Sequence, residues 1–495
     1  MTEYTNPVIS GFYPDPSICR AYGKYYLVCS SMHYFPGVPL FESEDLINWQ
    51  QIGWCLTRKS QVNLVGVPSS GGIFAPTIRF WNGRFYMVTT DDSRHRNFYV
   101  YTDDIYKEWS EPIEVKQGGI DPSLYFEGEK VYFTSNGRDE NNQPCIFQCE
   151  IDINSGDMLS ESRKIWMGSG GRLVEGPHLY KIDEYYYLLA AEGGTEYGHM
   201  VTIAKADNPY GPFESYSHNP ILTNRDMGDS ELQGLGHGDL IEDWQGDWWI
   251  VCLGFRQMAL WQQYHHLGRE VFLLPVTFNE EGWPIVNKKG IAENPVRISS
   301  LSIEQRKERT DDFETEGWNM KWSHLRECRQ EDYCIEKGVL KLKGMKCSLD
   351  EPNAPTFIGL RQNALEGELS VEIAAEEGET GVSIFMDEQH HYDVAVCCGK
   401  DIEYVIRICI GGIKEEIKVR GESKDVTIKV CAQRERYALS IVSPQGVRVE
   451  KEMASKYLSS EVAGGFTGVL FGLYAINKSE SDAWNTFSKF TWKGR

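Results

Sequence analysis

The chain is 495 residues long and carries 72 acidic against 50 basic side chains, a formal net charge of −22. That balance argues against nucleic acid or an anionic membrane as partner and leaves a neutral ligand or plain solubility as its meaning. The length calls for about two domains, because a single hydrophobic core rarely grows past about 250–300 residues. The N-terminal run Met1-Thr2-Glu3-Tyr4-Thr5-Asn6-Pro7 is not a basic segment leading into an apolar one, and no stretch reaches the about 18 apolar residues of a membrane span. Neither an export signal nor a membrane anchor is expected. Thirteen cysteines form no C-x-x-C pair and include the adjacent Cys397-Cys398, so reduced, buried thiols in a cytoplasmic protein are the expectation.

From residue 15 onward one short pattern occurs five times: an aliphatic residue, a polar turn usually holding glycine, and an aromatic-rich β-run. The copies are Asp15-Pro16-Ser17-Ile18 to Tyr25-Tyr26, Ala75-Pro76-Thr77-Ile78 to Phe85-Tyr86, Asp121-Pro122-Ser123-Leu124 to Val131-Tyr132, Gly176-Pro177-His178-Leu179 to Tyr186-Tyr187, and Gly238-Asp239-Leu240-Ile241 to Trp248-Trp249. Each reads as a β-hairpin. Their anchors, Pro16, Pro76, Pro122, Pro177 and Asp239, are spaced 46 to 62 residues apart, enough for four strands plus loops. This predicts a five-bladed β-propeller over residues 1–297. Equivalent positions in a propeller face one axis, so Asp15, Asp121 and Glu175 should converge on one pocket.

After Thr277 the aromatic β-texture gives way to a charged stretch containing Glu304-Gln305-Arg306-Lys307-Glu308-Arg309, and residues 298–310 read as a linker. Asp311-Asp312-Phe313 opens a second region, 311–495, with alternating runs such as Val339-Leu340-Lys341-Leu342, Leu369-Ser370-Val371-Glu372-Ile373 and Val426-Thr427-Ile428-Lys429-Val430. Alternation in short runs predicts an antiparallel β-sandwich, jelly-roll or lectin-like, and an all-β chain overall.

Carboxylates at the mouth of a rigid β-scaffold can divide acid and base work, because environment can hold one protonated and leave another ionised. Inverting hydrolysis of a glycosidic bond takes one acid and one base. A third carboxylate beside the acid would raise its pKa by like-charge repulsion. Taken singly, an Asp-Pro or Glu-Gly-Pro is an ordinary turn. Acids at three near-equivalent repeat positions, with Ala75 at the second and His237 preceding the fifth, argue for a site.

The segments Asn6 to Ser17, Phe35-Pro36-Gly37-Val38-Pro39, Gly71-Gly72-Ile73-Phe74-Ala75-Pro76, Ile120-Asp121-Pro122-Ser123, Val174-Glu175-Gly176-Pro177, Gly236-His237-Gly238-Asp239 and Leu267-Gly268-Arg269-Glu270 resemble, in order, glycoside hydrolase family 43. That family includes β-xylosidases, α-L-arabinofuranosidases and arabinanases. The second region, with Asp311-Asp312-Phe313 and Gly465-Phe466-Thr467-Gly468, is similar to the sandwich of its two-domain β-xylosidase branch. The resemblance implies Asp15 as general base, Glu175 as general acid and Asp121 as the residue that raises and orients Glu175. It implies Arg269 as a donor to sugar hydroxyls, His237 under the sugar with an optional divalent ion such as calcium, Phe35 and Phe74 as an aromatic wall, and Phe466 at the pocket rim. Where similar xylosidases of that branch carry tryptophan this chain has Phe74, which alters that wall.

The expected activity is therefore that of an inverting exo-glycosidase taking β-D-xylose and/or α-L-arabinofuranose from xylo-oligosaccharides, with no required cofactor. A homo-oligomeric state is left open. The alternative is a non-catalytic sugar-binding propeller with a lectin-like module; a retaining β-fructosidase on the same propeller lacks its usual signatures.

Overall fold

Five four-stranded antiparallel sheets follow one another along the chain, the first strands being Ser17–Ala21, Thr77–Trp81, Ser123–Glu127, Glu175–Ile182 and Leu232–Glu242. Each of these strands touches the first strand of the next sheet, and the fifth returns to the first. The result is the five-bladed propeller expected from the repeats. The computed structural model describes residues 2–258, 261, 263–298, 305, 313, 320–446, 448–479 and 481–495. The linker expected at 298–310 and the Asp311-Asp312 opening lie outside the described residues, apart from Ile298, which ends a strand, and Gln305, whose side chain bonds the backbone of Thr5.

The ring is closed by the segment ahead of the first blade. Thr2–Tyr4 pairs with Val296–Ile298, and the Asn6 amide bonds both the N–H and the carbonyl of Leu273 at 2.9 Å. Gly11 N–H donates to Glu270 at 2.7 Å and Tyr13 N–H to the Arg269 carbonyl at 3.0 Å. This latch sets Asp15 beside the 269–270 segment, although more than 250 residues separate them in the chain.

A buried carboxylate joins the blades. Asp239, fully buried, accepts from Ser17 Oγ at 2.6 Å, from Ile18 N–H at 3.0 Å, from the Tyr180 hydroxyl, and from both Arg79 Nη atoms at 2.8 and 3.1 Å. One carboxylate thereby ties the first, second, fourth and fifth blades. A buried charge is tolerable only when so fully paired.

The C-terminal domain packs an eight-stranded sheet on a seven-stranded one. Tyr392, Tyr404, Phe471, Phe487 and Trp492 fill the space between them, and Phe313 stacks on Trp322. The eight-stranded sheet does not stop at the domain boundary: its edge strand is Tyr34–Phe35 of the propeller, paired with Trp322–Leu325. A separate apolar cluster joins the domains, with Phe12, Met32 and Tyr34 on one side and Leu325, Phe357, Phe385, Leu470 and Tyr474 on the other. Arg361 crosses the same seam, donating to the Phe12 carbonyl at 2.8 Å and lying 4.7 Å from the Tyr13 ring centroid.

Candidate active site

The first strand of a blade meets the axis through a turn with left-handed backbone. Asp15 (φ 55°), Asp121 (φ 54°) and Gly176 (φ 55°) occupy the same repeat position, and His237 (φ 45°) lies one residue earlier in the fifth copy. Such φ values are uncommon outside glycine, with aspartate, asparagine and histidine the usual exceptions. In the fourth and fifth blades the strand register also shifts, between Glu175 and His178 and between Gly236 and Asp239. Bulges of this kind re-aim a side chain at the end of a strand.

The carboxylate of Asp15 is 6 % exposed and fully engaged: Ser30 Oγ donates to Oδ2, Arg269 Nη1 to Oδ1 at 2.9 Å, and His237 Nδ1 lies 3.8 Å from Oδ1. Burial pushes this acid up, but Arg269, His237 and Ser30 together outweigh it and hold the carboxyl below its ordinary range. Asp15 is a carboxylate at neutral pH. Arg269 pairs with Asp15 and leaves its neighbour Glu270 to Arg256, which binds that acid at 2.7 Å through two nitrogens. The guanidinium also donates to Thr195 Oγ1 at 2.9 Å and to the carbonyl of Phe466 at 3.2 Å.

Glu175 stands in the opposite condition. Burial first, and then the negative charge of Asp15, push its pKa up to about 7, against the opposing pull of Arg269, Arg138 and Arg172. Asp121, 8 % exposed, accepts from the N–H of Gly176 at 3.2 Å and is itself pushed well up, by burial and then by Glu175. Like-charge repulsion couples Asp121 to Glu175, as the sequence reading expected, and the negative charge of Asp15 pushes both of them up as well.

His237 is buried, and a Cβ on Gly176 would lie 2.9 Å from its Cε1. The ring thus touches the Glu175-Gly176 turn on one side and Asp15 on the other. Burial pushes its pKa down and the imidazole is neutral. Phe466 crosses from the sandwich: its N–H donates to Ser70 Oγ at 2.8 Å, its carbonyl receives Arg269, and its ring lies 5.8 Å from that guanidinium. Phe35 and Phe74 are half-buried, Phe35 in the strand shared with the sandwich and Phe74 against the interdomain cluster. Of the expected residues, the three acids, Arg269, His237 and Phe466 are gathered through bonds, contacts and charge; Phe35 and Phe74 are held by packing.

Four contributors escaped the sequence reading. Ser30 and Thr195 bond the central pair, and neither belongs to a repeat motif. His199 fills the space a side chain on Gly236 would need, and its Nδ1–H donates to the Gly234 carbonyl at 3.1 Å. Arg79 pairs with Asp239; the replacement of proline by aspartate at the fifth anchor was the available signal.

The family model described as Glycosyl hydrolases family 43 matches residues 4–284, and that of the Beta xylosidase C-terminal Concanavalin A-like domain matches residues 310–493. The chain belongs to glycosyl hydrolase family 43. It is 34 % identical to the non-reducing end alpha-L-arabinofuranosidase BoGH43B of Bacteroides ovatus, over 97 % of this chain and 92 % of that one. Identity is also 34 % to a xylosidase/arabinosidase of Butyrivibrio fibrisolvens, covering 99 % of both. A solved structure described as Bacteroides ovatus Xyloglucan PUL GH43B superposes with a TM-score of 0.93 at 33 % identity, over the whole of both chains. The xylan beta-1,4-xylosidase of Bacillus halodurans C-125 gives 0.92 at 29 % identity over 99 % of each. The protein is a glycoside hydrolase with the two-domain architecture of this family 43 branch.

Proposed function

We propose that this family 43 enzyme is an inverting exo-glycosidase that removes terminal β-D-xylose and/or α-L-arabinofuranose from xylo-oligosaccharides during hemicellulose breakdown. One observation carries the division of labour: Asp15 is held ionised by Arg269 while Glu175, close enough to feel the charge of Asp15, is pushed up to about 7. Opposite environments make one carboxyl a base and the other an acid at the same pH. Asp15 takes a proton from a water whose oxygen bonds the anomeric carbon. The glycosidic C–O bond breaks with its electron pair going to the leaving oxygen, which takes the proton of Glu175. Asp121 opposes ionisation of Glu175 by like-charge repulsion and, by accepting the Gly176 N–H, fixes the Glu175-Gly176 turn.

Arg269 presents a rigid fork of donors, suited to the hydroxyls of the terminal sugar. Phe466 and the half-buried Phe35 and Phe74 offer faces on which a sugar ring can stack. The Phe466 loop, held against Arg269 and Ser70, would admit only a chain terminus at that end, which favours exo cleavage. The donor set at His237 does not fit a protein-held cation. Among the described residues no third His, Cys, Asp or Glu joins His237 and Asp15 tightly enough to hold an ion, whereas calcium takes about six to eight oxygen ligands. Catalysis is therefore proposed to need no cofactor and to survive chelation. All thirteen cysteines are free thiols, which supports the cytoplasm as the working compartment.

The test is parallel kinetics on aryl β-D-xylosides and aryl α-L-arabinofuranosides, with the first-formed anomer followed by NMR. Turnover with inverted configuration is expected. Retained configuration, or binding of xylo-oligosaccharides without turnover, would overturn the reading.

A further inference from the structure

Arg269 is steadied by Asp15, by the Thr195 hydroxyl and by the Phe466 carbonyl. Two of these three supports belong to segments that the sandwich domain holds. Phe466 is a sandwich residue. Thr195 lies in the loop after the strand Tyr185–Glu192, two residues ahead of Tyr197.

One carboxylate of the sandwich reaches both propeller loops that carry Thr195 and Arg269. Glu461, in the short helix Ser460–Ala463, accepts the Tyr197 hydroxyl at 3.0 Å on Oε1. The same carboxylate receives the backbone N–H of His265 at 3.0 Å on Oε2 and lies 2.8 Å from His265 Nδ1 through Oε1. His265 precedes Arg269 by four residues in the loop that closes the fifth blade. Phe255 fills the gap between the two loops, its ring 3.8 Å from that of His265 in a parallel stack and 5.1 Å from that of Tyr197 edge-on. Other polar links cross the domains elsewhere, among them the exposed pair Arg434 with Glu231, the bond of Arg361 to the Phe12 carbonyl, and Glu388, which accepts from the N–H and hydroxyl of Ser69; Glu461 is the sandwich carboxylate that reaches the Thr195 and Arg269 loops.

We propose that Glu461 is a positioning residue of the active site: by joining the Tyr197 and His265 loops it sets Thr195 and Arg269 against each other, and so fixes the guanidinium that receives the terminal sugar. Glu461 touches neither substrate nor the catalytic acids and acts only through Arg269. The assignment rests on the glycosidase reading, in which Arg269 donates to sugar hydroxyls. A glutamine at 461 keeps the size but offers a single accepting oxygen, so three donors can no longer be satisfied together.

The experiment compares E461Q and Y197F with the wild-type full-length enzyme, reading KM and kcat on aryl β-D-xyloside and aryl α-L-arabinofuranoside and the inhibition constant of the free pentose. Loss of a contact made equally in ground and transition states raises KM with little change in kcat. E461Q should raise KM and the pentose inhibition constant together by about tenfold, with kcat falling far less; Y197F should move both the same way by about threefold. A merely structural role would lower the active fraction and hence apparent kcat, leaving KM and the inhibition constant at wild-type values, and that result would overturn the proposal. Should E461Q not fold, Y197F alone decides, since it removes one hydroxyl. If the wild type turns over neither glycoside, the glycosidase reading falls, and calorimetric binding of the pentose to the same variants still judges Glu461.

Discussion

At the scale of single residues the site works by contrast of environment. Glu175 must supply a proton when the leaving group is basic, so Glu175→Ala should cripple unactivated xylobiose far more than an aryl glycoside with a good leaving group. Equal losses on the two substrates, in steady-state kinetics, would remove its assignment as the acid. The Asp121 and Glu175 pair keeps its last proton because two charges in a buried space repel. Asp121→Asn cannot ionise, so Glu175 should lose its proton at lower pH and the alkaline limb of the pH–rate profile should move down. An unmoved limb with activity retained would make Asp121 structural. A third residue-level case lies in the sandwich. The two nitrogens of His391 meet Asp393 at 2.9 Å and Asp350 at 3.0 Å; burial opposes its charge, but these acids outweigh it and raise its pKa well above the ordinary value. A raised folded value means that the stabilisation is complete below the unfolded pKa, about 6.5, and is lost as pH rises through the folded one. The difference in Tm between the wild type and His391→Gln should therefore be largest below about pH 6.5 and shrink as pH rises through the raised folded value.

At the scale of elements the left-handed entry to four of the five blades explains where glycine is needed. Aspartate tolerates that conformation at 15 and 121, whereas alanine at 176 would be strained in it, and its methyl would press on the His237 ring at 2.9 Å. Gly176→Ala should cost about 1–2 kcal/mol of stability and, by displacing His237 from Asp15, a larger share of activity. Denaturant unfolding and kcat/KM measured on one preparation separate the two effects. Wild-type activity in the variant would show that the ring is free to move aside.

At the scale of the whole molecule the propeller is not independent of the sandwich. Phe12, Met32 and Tyr34 are covered by sandwich residues, and the edge strand Tyr34–Phe35 finds its partner there. Residues 1–298 alone would expose that apolar face and an unpaired strand, so this fragment should aggregate or lack activity on xylobiose. Full activity of the fragment would make the sandwich dispensable. Phe466→Ala keeps the backbone carbonyl that holds Arg269, so it should raise KM for xylobiose only by the loss of about 1 kcal/mol of ring contact.

The five hairpins and the alternating sandwich strands were legible because each is a local pattern, set by side-chain periodicity and turn chemistry within about ten residues. Asp15, Asp121 and Glu175 were legible for the same reason, as acids at equivalent points of a repeat. Arg269 and Phe466 stood out through resemblance, but the bond from Arg269 to Asp15 and its choice over Glu270 depend on the latch of residues 2–13 against the fifth blade. Ser30, Thr195 and Glu461 carried no signal, since a hydroxyl or carboxylate bonding a distant loop looks like any surface residue in the chain. The pKa values also belong to tertiary structure: burial and charges brought from other blades make Asp15 a base and Glu175 an acid, and an identical carboxyl group in the unfolded chain would titrate at its ordinary value.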